Sequence, residues 1–547
     1  MNGMYLLFSS LQIFSATAFG QCIDTKDPNV PACPRGKTQA LDDRYPAAYV
    51  TVGPGQGKDQ LGLDFAQKAF AAGKPTTIVL SGWKVEQYDN LKETLKKSGF
   101  STAEIEQRLI HFDAGTGYQW QQDFVQPEFN PATGAPEMRP INNYLLDRVN
   151  ITNDQQYFNQ LANKLNDRKV FCNAFVKTGK NLPETLKEAY ETNYFGGNLE
   201  GFPGGLCMVG DTIPEESLND FCRGKPENAV KLPASWLKVG HVDEAFSVVP
   251  DSKAKPPCNY AVLRASPKKA LDLLQSSLNK PEIAQKKFLE LNEGDRNTAT
   301  LVCDTRESLE RNRSRMRSVP ASEAPKTLKG ASLLRWFDLV SNASADIIIE
   351  TGTVISPCNE MSNQEAYDAI NFNHELYDFN MLVEDEMIKA EKEIKKKSAE
   401  NGCPNIKVLS VPNLFRGNVK SELINSDEII SVRLADGTTL KKKRADFTED
   451  EMNLIPHRDR VSLFKMKIDP RSGSSINPNP TNSVSLNQTL IFPEQKNSIF
   501  SDYLKKDIAE NLGLKSSFVN TWQSAHVQQG NLHCSTNTFR YCRPSEK

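Results

Sequence analysis

The chain has 547 residues, of which 38% are hydrophobic and 24% charged, and its formal net charge at pH 7 is -2. That length holds about three domains of ~150 residues or one large α/β barrel or propeller. The near-neutral balance excludes a strong field for nucleic acid or an anionic membrane surface. Two basic runs, RESLERNRSRMR (306–317) and LKKKR (440–444), read as solvated faces because acidic residues interleave with or follow them.

In chain order, residues 1–20 (MNGMYLLFSSLQIFSATAFG) are apolar and end in small residues, which reads as a secretory signal peptide. Their lack of Lys or Arg leaves a buried N-terminal strand as the alternative. No later segment offers the ~20 consecutive apolar residues of a spanning helix, so no membrane span is expected. Residues 21–74, rich in Pro, Gly and charge, read as an irregular leader tied down by Cys22 and Cys33. An α/β rhythm follows over 75–547. TTIVLSGW reads as a buried strand, YDNLKETLKKSG as a helix ending at Gly99, and EIEQRLIHFDAG as a second short unit. In CNYAVLRASPKKALDLLQSSL an apolar strand runs through a Ser-Pro entry into an amphipathic helix. The stretch 290–370 interrupts the rhythm and reads as an insertion stapled by Cys303 and Cys358. YDFNMLVEDEMIKAEKEIKKKSAENG reads as a long helix, NIKVLSVPNLF as a strand and SVRLADGTTLKKK as a hairpin turning at Asp436-Gly437. DPRSGSSINPNPTNS (469–483) reads as a loop.

Eleven cysteines fit an oxidising compartment, extracellular or periplasmic. The odd number leaves at least one thiol over in a monomer. No CxxC pair or Cys/His cluster at zinc spacing occurs. Asn150, Asn312, Asn342 and Asn487 head N-x-[ST] sequons.

Polar residues that could do chemistry gather in four places. They are YQWQQDFVQPEF with Trp120, Gln122 and Asp123; NYFGGNLEGFPGG with Asn198 and Glu200; LKVGHVDEAFSVVP with His241 and Asp243; and GNLHCSTN with Cys534. Each has a plain reading as a surface pair or a bridged cysteine. Together they supply a thiol nucleophile, an imidazole and at least two carboxylates. Two carboxylates in one pocket call for a cation, and a guanidinium, whose planar fork accepts bidentate carboxylates, is the natural fit.

In this order the four segments resemble the catalytic motifs of the protein-arginine deiminases, of the guanidino-modifying pentein superfamily: WQQD (120–123), GNLE (197–200), VGHVDE (239–244) and HCSTN (533–537). The similarity runs from about residue 75 to 540. It implies a single catalytic domain with an inserted segment, folded as a five-bladed pentein α/β propeller. It makes Cys534 the nucleophile, His241 the acid and base, and Asp123 and Asp243 the carboxylates that hold the guanidinium, while Trp120 and Asn198 contact substrate. The implied reaction is hydrolysis of peptidyl or protein-bound arginine to citrulline and ammonia through a covalent thiouronium. Sister reactions on free arginine or other small guanidines, amidinotransfer, and a catalytically inactive binding protein remain as alternatives. A papain-like protease is disfavoured because its nucleophile would precede its histidine.

The vertebrate relatives depend on calcium. Here Phe124 and Gln126 replace acidic neighbours of the first aspartate, leaving Gln122 and Glu200 as a remnant, so activity is expected to need no cofactor and to respond weakly to calcium or not at all. With Cys534 as nucleophile, the eleven cysteines read as five disulfides and one free thiol, with Cys542 bridged elsewhere. His533, beside the nucleophile, reads as structural, since neighbouring side chains on a strand point apart.

Overall fold

A computed structural model describes residues 26–544 apart from 29, 35–39, 55–60, 74–75, 113–118, 124, 141–153, 168–174, 177–195, 216–217, 219–221, 223–225, 294, 296–360, 373, 422–426, 435–436, 449–450, 453 and 465. The signal segment, most of the 290–370 insertion, and Cys22, Cys172, Cys303 and Cys358 lie outside the described residues.

Five sheets share one pattern, an antiparallel pair followed by a parallel strand. In the first, Thr536–Arg540 runs antiparallel to Ala47–Val52, which pairs parallel with Thr77–Ser81 and through it with Leu109–Phe112. The second is Val125–Phe129, Pro136–Pro140 and Phe175–Val176. The third is Leu199–Phe202, Leu206–Gly210 and Ala229–Leu232. The fourth is Phe246–Pro250, Tyr260–Ser266 and Lys407–Pro412, and the fifth Val484–Leu486, Thr489–Pro493 and Lys515–Val519. Each parallel step needs a crossover, and helices such as Leu61–Ala71, Pro267–Ser277 and His374–Glu400 lie in these crossovers. The central strands are buried on both faces, which is why TIVLS and YAVLRAS are near-continuous apolar runs.

Local chemistry sets several boundaries. Ser266 caps helix Pro267–Ser277 by accepting from Lys269 N at 3.1 Å, with Pro267 in the first turn. Helix His374–Glu400 is fastened to the fourth sheet where Glu384 takes Arg264 Nη1 and Ser266 Oγ, both at 2.7 Å. The hairpin forms as expected, Ile429–Arg433 against Thr439–Lys443, and Gly437 supplies the φ of +88° that the turn requires.

One expectation is corrected and another is borne out with an addition. Residues 21–74 are not an irregular leader throughout: they contain strand Ala47–Val52, wholly buried, and helix Leu61–Ala71, both part of the first sheet and its core. The flanking Pro and Gly hid an apolar run that is completed by a strand almost five hundred residues later. The 469–483 loop has no regular period, yet it is far from a surface loop: Asn477, Asn479, Thr481 and Asn482 are buried. Their side chains serve as backbone hydrogen-bond partners, as where Asn477 Oδ1 accepts Leu414 N at 2.9 Å.

Three disulfides lie within the described residues, Cys33 with Cys542, Cys207 with Cys222 and Cys258 with Cys403. Among them Cys534 alone is unbridged, and it is buried. The Cys33–Cys542 bond ties the segment before the first sheet to the segment after its last strand. Replacing both by serine is expected to lower unfolding free energy by about 2–4 kcal/mol, read from denaturant unfolding; an unchanged midpoint would show that strand pairing alone closes this sheet.

Candidate active site

The sequence motifs converge because each ends in a turn that feeds the first strand of a sheet. Asp123 lies two residues before Val125–Phe129, Gly197 two before Leu199–Phe202, Glu244 two before Phe246–Pro250 and Cys534 two before Thr536–Arg540. The buried loop contributes the fifth: Asn482 lies two residues before Val484–Leu486. The turns are tied to one another. Gln122 N donates to Cys534 O at 3.4 Å, and Asn537 Nδ2 donates to Gln121 O and Val125 O at 3.1 and 2.7 Å.

Asp243, only 1% exposed, stands at the centre. Its Oδ2 accepts Asn482 Nδ2 at 2.9 Å and His533 Nδ1 at 2.8 Å, and lies 3.9 Å from Cys534 Sγ. Its Oδ1 is buried and has no hydrogen-bond partner among the described residues. His241, Asp243 and Cys534 each offer an atom within 4.8 Å of the others. His241 and Asp243 meet by way of a 3-10 turn, Val242–Glu244, not an extended face; Glu244 Oε1 accepts His241 N at 3.3 Å and Glu244 N donates to His241 O at 3.2 Å. Gly197 passes so close that a Cβ there would stand 2.6 Å from His241 Nδ1 and about 3.0 Å from the Asp243 carboxylate, so glycine is required at that turn.

Asn482 is the residue that sequence reasoning missed. It is fully buried and grips Cys534 on both sides: Nδ2 donates to Cys534 Sγ at 3.2 Å and Oδ1 accepts Cys534 N at 3.2 Å, while its carbonyl accepts His533 N at 3.2 Å. The signal lay in its place before a strand, visible only once the sheets are aligned.

Two other readings change. His533 and Cys534 occupy a turn rather than a strand, so both side chains reach Asp243. Asn198 does not face substrate space: it is fully buried, its Oδ1 accepts Val242 N at 3.1 Å and its Nδ2 donates to Thr212 Oγ1 at 3.3 Å, so it orders the His241 turn. Trp120 is partly buried and rests against Gly530 on the loop before Cys534, where an added Cβ would meet its ring at 2.3 Å. Gln122 Nε2 donates to Glu200 Oε1 at 2.8 Å and lies 3.1 Å from His533 Nδ1, which is itself 3.7 Å from Glu200 Oε1.

Burial governs the protonation states. It pushes the Cys534 thiol well up, with Asp243, Glu244 and Asp123 adding to the shift. It lifts Asp123 to about 8, with Asp243 adding, and lowers His241. His533 goes the other way: burial opposes its charge, but Glu200 and Asp243 outweigh it and raise it to about 9. Burial therefore favours the neutral forms of Cys534, His241 and Asp123 at pH 7, while His533 is favoured as an imidazolium.

Residues 332–545, which include HCSTN but not the other three motifs, match the model of the protein-arginine deiminase family. Among individual proteins, the chain is 36% identical over 87 residues to protein-arginine deiminase type-1 of Mus musculus, a match covering 14% of this chain and 12% of that protein. Among solved structures, the agmatine deiminase of C. jejuni superposes with a TM-score of 0.39 and 11% identity over 92% of this chain and 97% of that one. That of Enterococcus faecalis gives 0.39 and 12% over 94% and 100%.

Asn482→Ala is expected to slow alkylation of Cys534 by 2-chloroacetamidine about tenfold or more at pH 7, since a donor to the developing thiolate is lost; an unchanged rate in a folded variant would show that Asn482 acts on packing alone. His533 has a folded pKa above its ordinary 6.5, so its contribution to stability is complete below about pH 6.5 and disappears as pH rises through about 9. His533→Gln should flatten that part of the stability profile, measured by denaturant midpoints at a series of pH values.

Proposed function

We propose that this protein is a hydrolase that deiminates arginine in peptides or proteins, releasing ammonia and leaving citrulline, in an oxidising compartment outside the cytosol. The observation that carries the reading is a buried, unbridged thiol beside a buried carboxylate whose Oδ1 still lacks a donor. A guanidinium N–H is the donor that fits, because it brings the positive charge that Asp243 and Asp123 together demand. The matched family model and the 87-residue likeness to a protein-arginine deiminase support the same chemistry. Three disulfides support the compartment. The five sheets of common pattern support a reading as five blades of a pentein-type propeller, with the five turns as its hub.

In this reading Asp123 and Asp243 hold the guanidinium nitrogens and set its carbon before Cys534 Sγ. The cation favours the ionised forms of Asp123 and the thiol, both held neutral by burial without it. The thiol proton passes to His241. Sulfur attacks the guanidinium carbon, His241 returns that proton to the departing nitrogen, and ammonia leaves a thiouronium on Cys534. Neutral His241 then takes a proton from water, whose oxygen attacks the same carbon; as the C–S bond breaks, the remaining hydroxyl proton of the adduct is lost to solvent, where the released ammonia takes one up as ammonium, and citrulline is left with a thiolate to which His241 returns its proton. Asn482 steadies the sulfur in each anionic stage, and His533 holds the Asp243 carboxylate in place through its 2.8 Å contact with Oδ2.

The calcium remnant does not suit that ion. Calcium takes six to eight oxygens with several carboxylates among them, whereas this remnant is the Glu200 carboxylate and the Gln122 amide. Gln122 already bonds Glu200, and the cationic His533 stands beside it. We infer that activity is independent of calcium.

Citrulline formed from an arginine peptide is expected for the wild type, equally in EGTA and in calcium, and should be absent for Cys534→Ala. Asp123→Asn and Asp243→Asn should each lose roughly 10²-fold or more in kcat/KM. A wild-type protein that yields no citrulline from any arginine compound, or a Cys534 found in a disulfide by peptide mapping, would overturn the assignment.

A further inference from the structure

The loop at 469–483 does more than supply Asn482. Asn482 N donates to Asn479 O at 3.2 Å, which closes 479–482 into a β-turn whose second position is Pro480, with φ fixed by its ring. The turn carries three buried polar side chains, Asn479, Thr481 and Asn482, none of them more than 1% exposed. Groups withdrawn from water to that degree need partners, and these find them on two different turns of the site.

Asn479 and Thr481 converge on one carbonyl. Asn479 Nδ2 donates to Glu244 O at 2.5 Å; Thr481 Oγ1 lies 2.8 Å from that oxygen and 2.7 Å from Asn479 Oδ1, which also accepts Thr481 N at 3.1 Å. Glu244 is the last residue of the 3-10 turn that begins beside His241. It holds His241 from within, Glu244 N donating to His241 O at 3.2 Å and Glu244 Oε1 accepting His241 N at 3.3 Å. Asn198 Oδ1 fastens the start of that turn at Val242 N. The remaining side chain, Asn482, holds Cys534 and Asp243 Oδ2. A single turn before the first strand of the fifth sheet therefore grips the histidine turn through two residues and the sulfur through a third.

We propose that the 479–482 turn sets the separation of the Cys534 sulfur and the His241 imidazole, with Asn479 and Thr481 as positioning residues for the proton transfer between them. The inference rests on the deiminase reading above. Every step assigned to His241 needs its ring within reach of the reacting atoms, and a displacement of about 1 Å in such a pair costs on the order of 10²-fold in rate. Loss of the Glu244 clamp frees the far end of the histidine turn. Asp243 keeps its own anchors, Asn482 and His533, so the guanidinium is still held. The defect therefore falls on the chemical step and spares binding.

Thr481→Val keeps the shape of the side chain and removes its hydroxyl, and Thr481→Ser restores the hydroxyl. With an arginine peptide as substrate, Thr481→Val should lose about tenfold in kcat with KM within about twofold of the wild type, and Thr481→Ser should recover most of that loss. Alkylation of Cys534 by 2-chloroacetamidine at pH 7, which requires the sulfur to give up its proton but releases no ammonia, should slow about tenfold in Thr481→Val and recover in Thr481→Ser. Asn479→Ser, too short to reach Glu244 O, should repeat the Thr481→Val pattern and decides the matter if Thr481→Val does not fold. A folded variant with wild-type kcat and alkylation rate, a loss carried by KM alone, or a loss that Thr481→Ser does not recover would overturn the positioning role. A wild type that makes no citrulline from any arginine compound would overturn the deiminase reading instead, and the alkylation series would still decide whether the turn places the imidazole for the sulfur's proton.

Discussion

The arrangement depends on Asp243, a carboxylate taken out of water at the meeting point of several turns. Such a group must find donors or lose its charge. Here Asn482 and His533 satisfy one oxygen, and the other is left facing the site. Gly197 is glycine because anything larger would strike this carboxylate and His241 together. Asn198 orders the backbone that carries Asp243, and His533 leaves the strand geometry in order to reach it.

Asp243 is one member of a wider regularity. Five sheets repeat the same antiparallel-then-parallel order, and the position two residues before each first strand is Asp123, Gly197, Glu244, Asn482 or Cys534. A turn at that place points its residue along the sheet end rather than across its faces, so equivalent turns of neighbouring sheets can face one another. The chemistry is thereby spread over sequence positions more than four hundred residues apart, with each residue held by a buried strand. This is the kind of rigid support that a site accurate to fractions of an ångström requires.

The electrostatics of the site are those of a buried, protonated thiol. Burial keeps the Cys534 thiol and Asp123 protonated and His241 neutral, and no cation in the immediate thiol environment reverses this, since His533 is already engaged with Asp243. A buried neutral thiol is a poor nucleophile and a poor target for oxidants. In a chain with three disulfides among its described residues, burial and Asn482 also keep this sulfur apart from the others. A bound cation would favour the ionised forms of the thiol and of Asp123 together.

Much was legible in the sequence, because it rests on local rules or on motifs of short span. The α/β rhythm, the Ser-Pro helix entry, the hairpin turning at Gly437 and the odd cysteine all follow from composition or from residues close to one another in the chain. What failed was whatever depended on a distant partner. Strand Ala47–Val52 looked irregular because its buried neighbours are Thr77–Ser81 and Thr536–Arg540. Asn482 looked like a loop polar residue because its partners, Asp243 and Cys534, lie 239 and 52 residues away. Asn198 was taken for a substrate contact because a side chain's partner cannot be read from its own segment. The sequence by itself determined which groups are present and the order in which they occur; only the tertiary structure decided which oxygen, sulfur and imidazole face one another, since that depends on sheets closing over long loops.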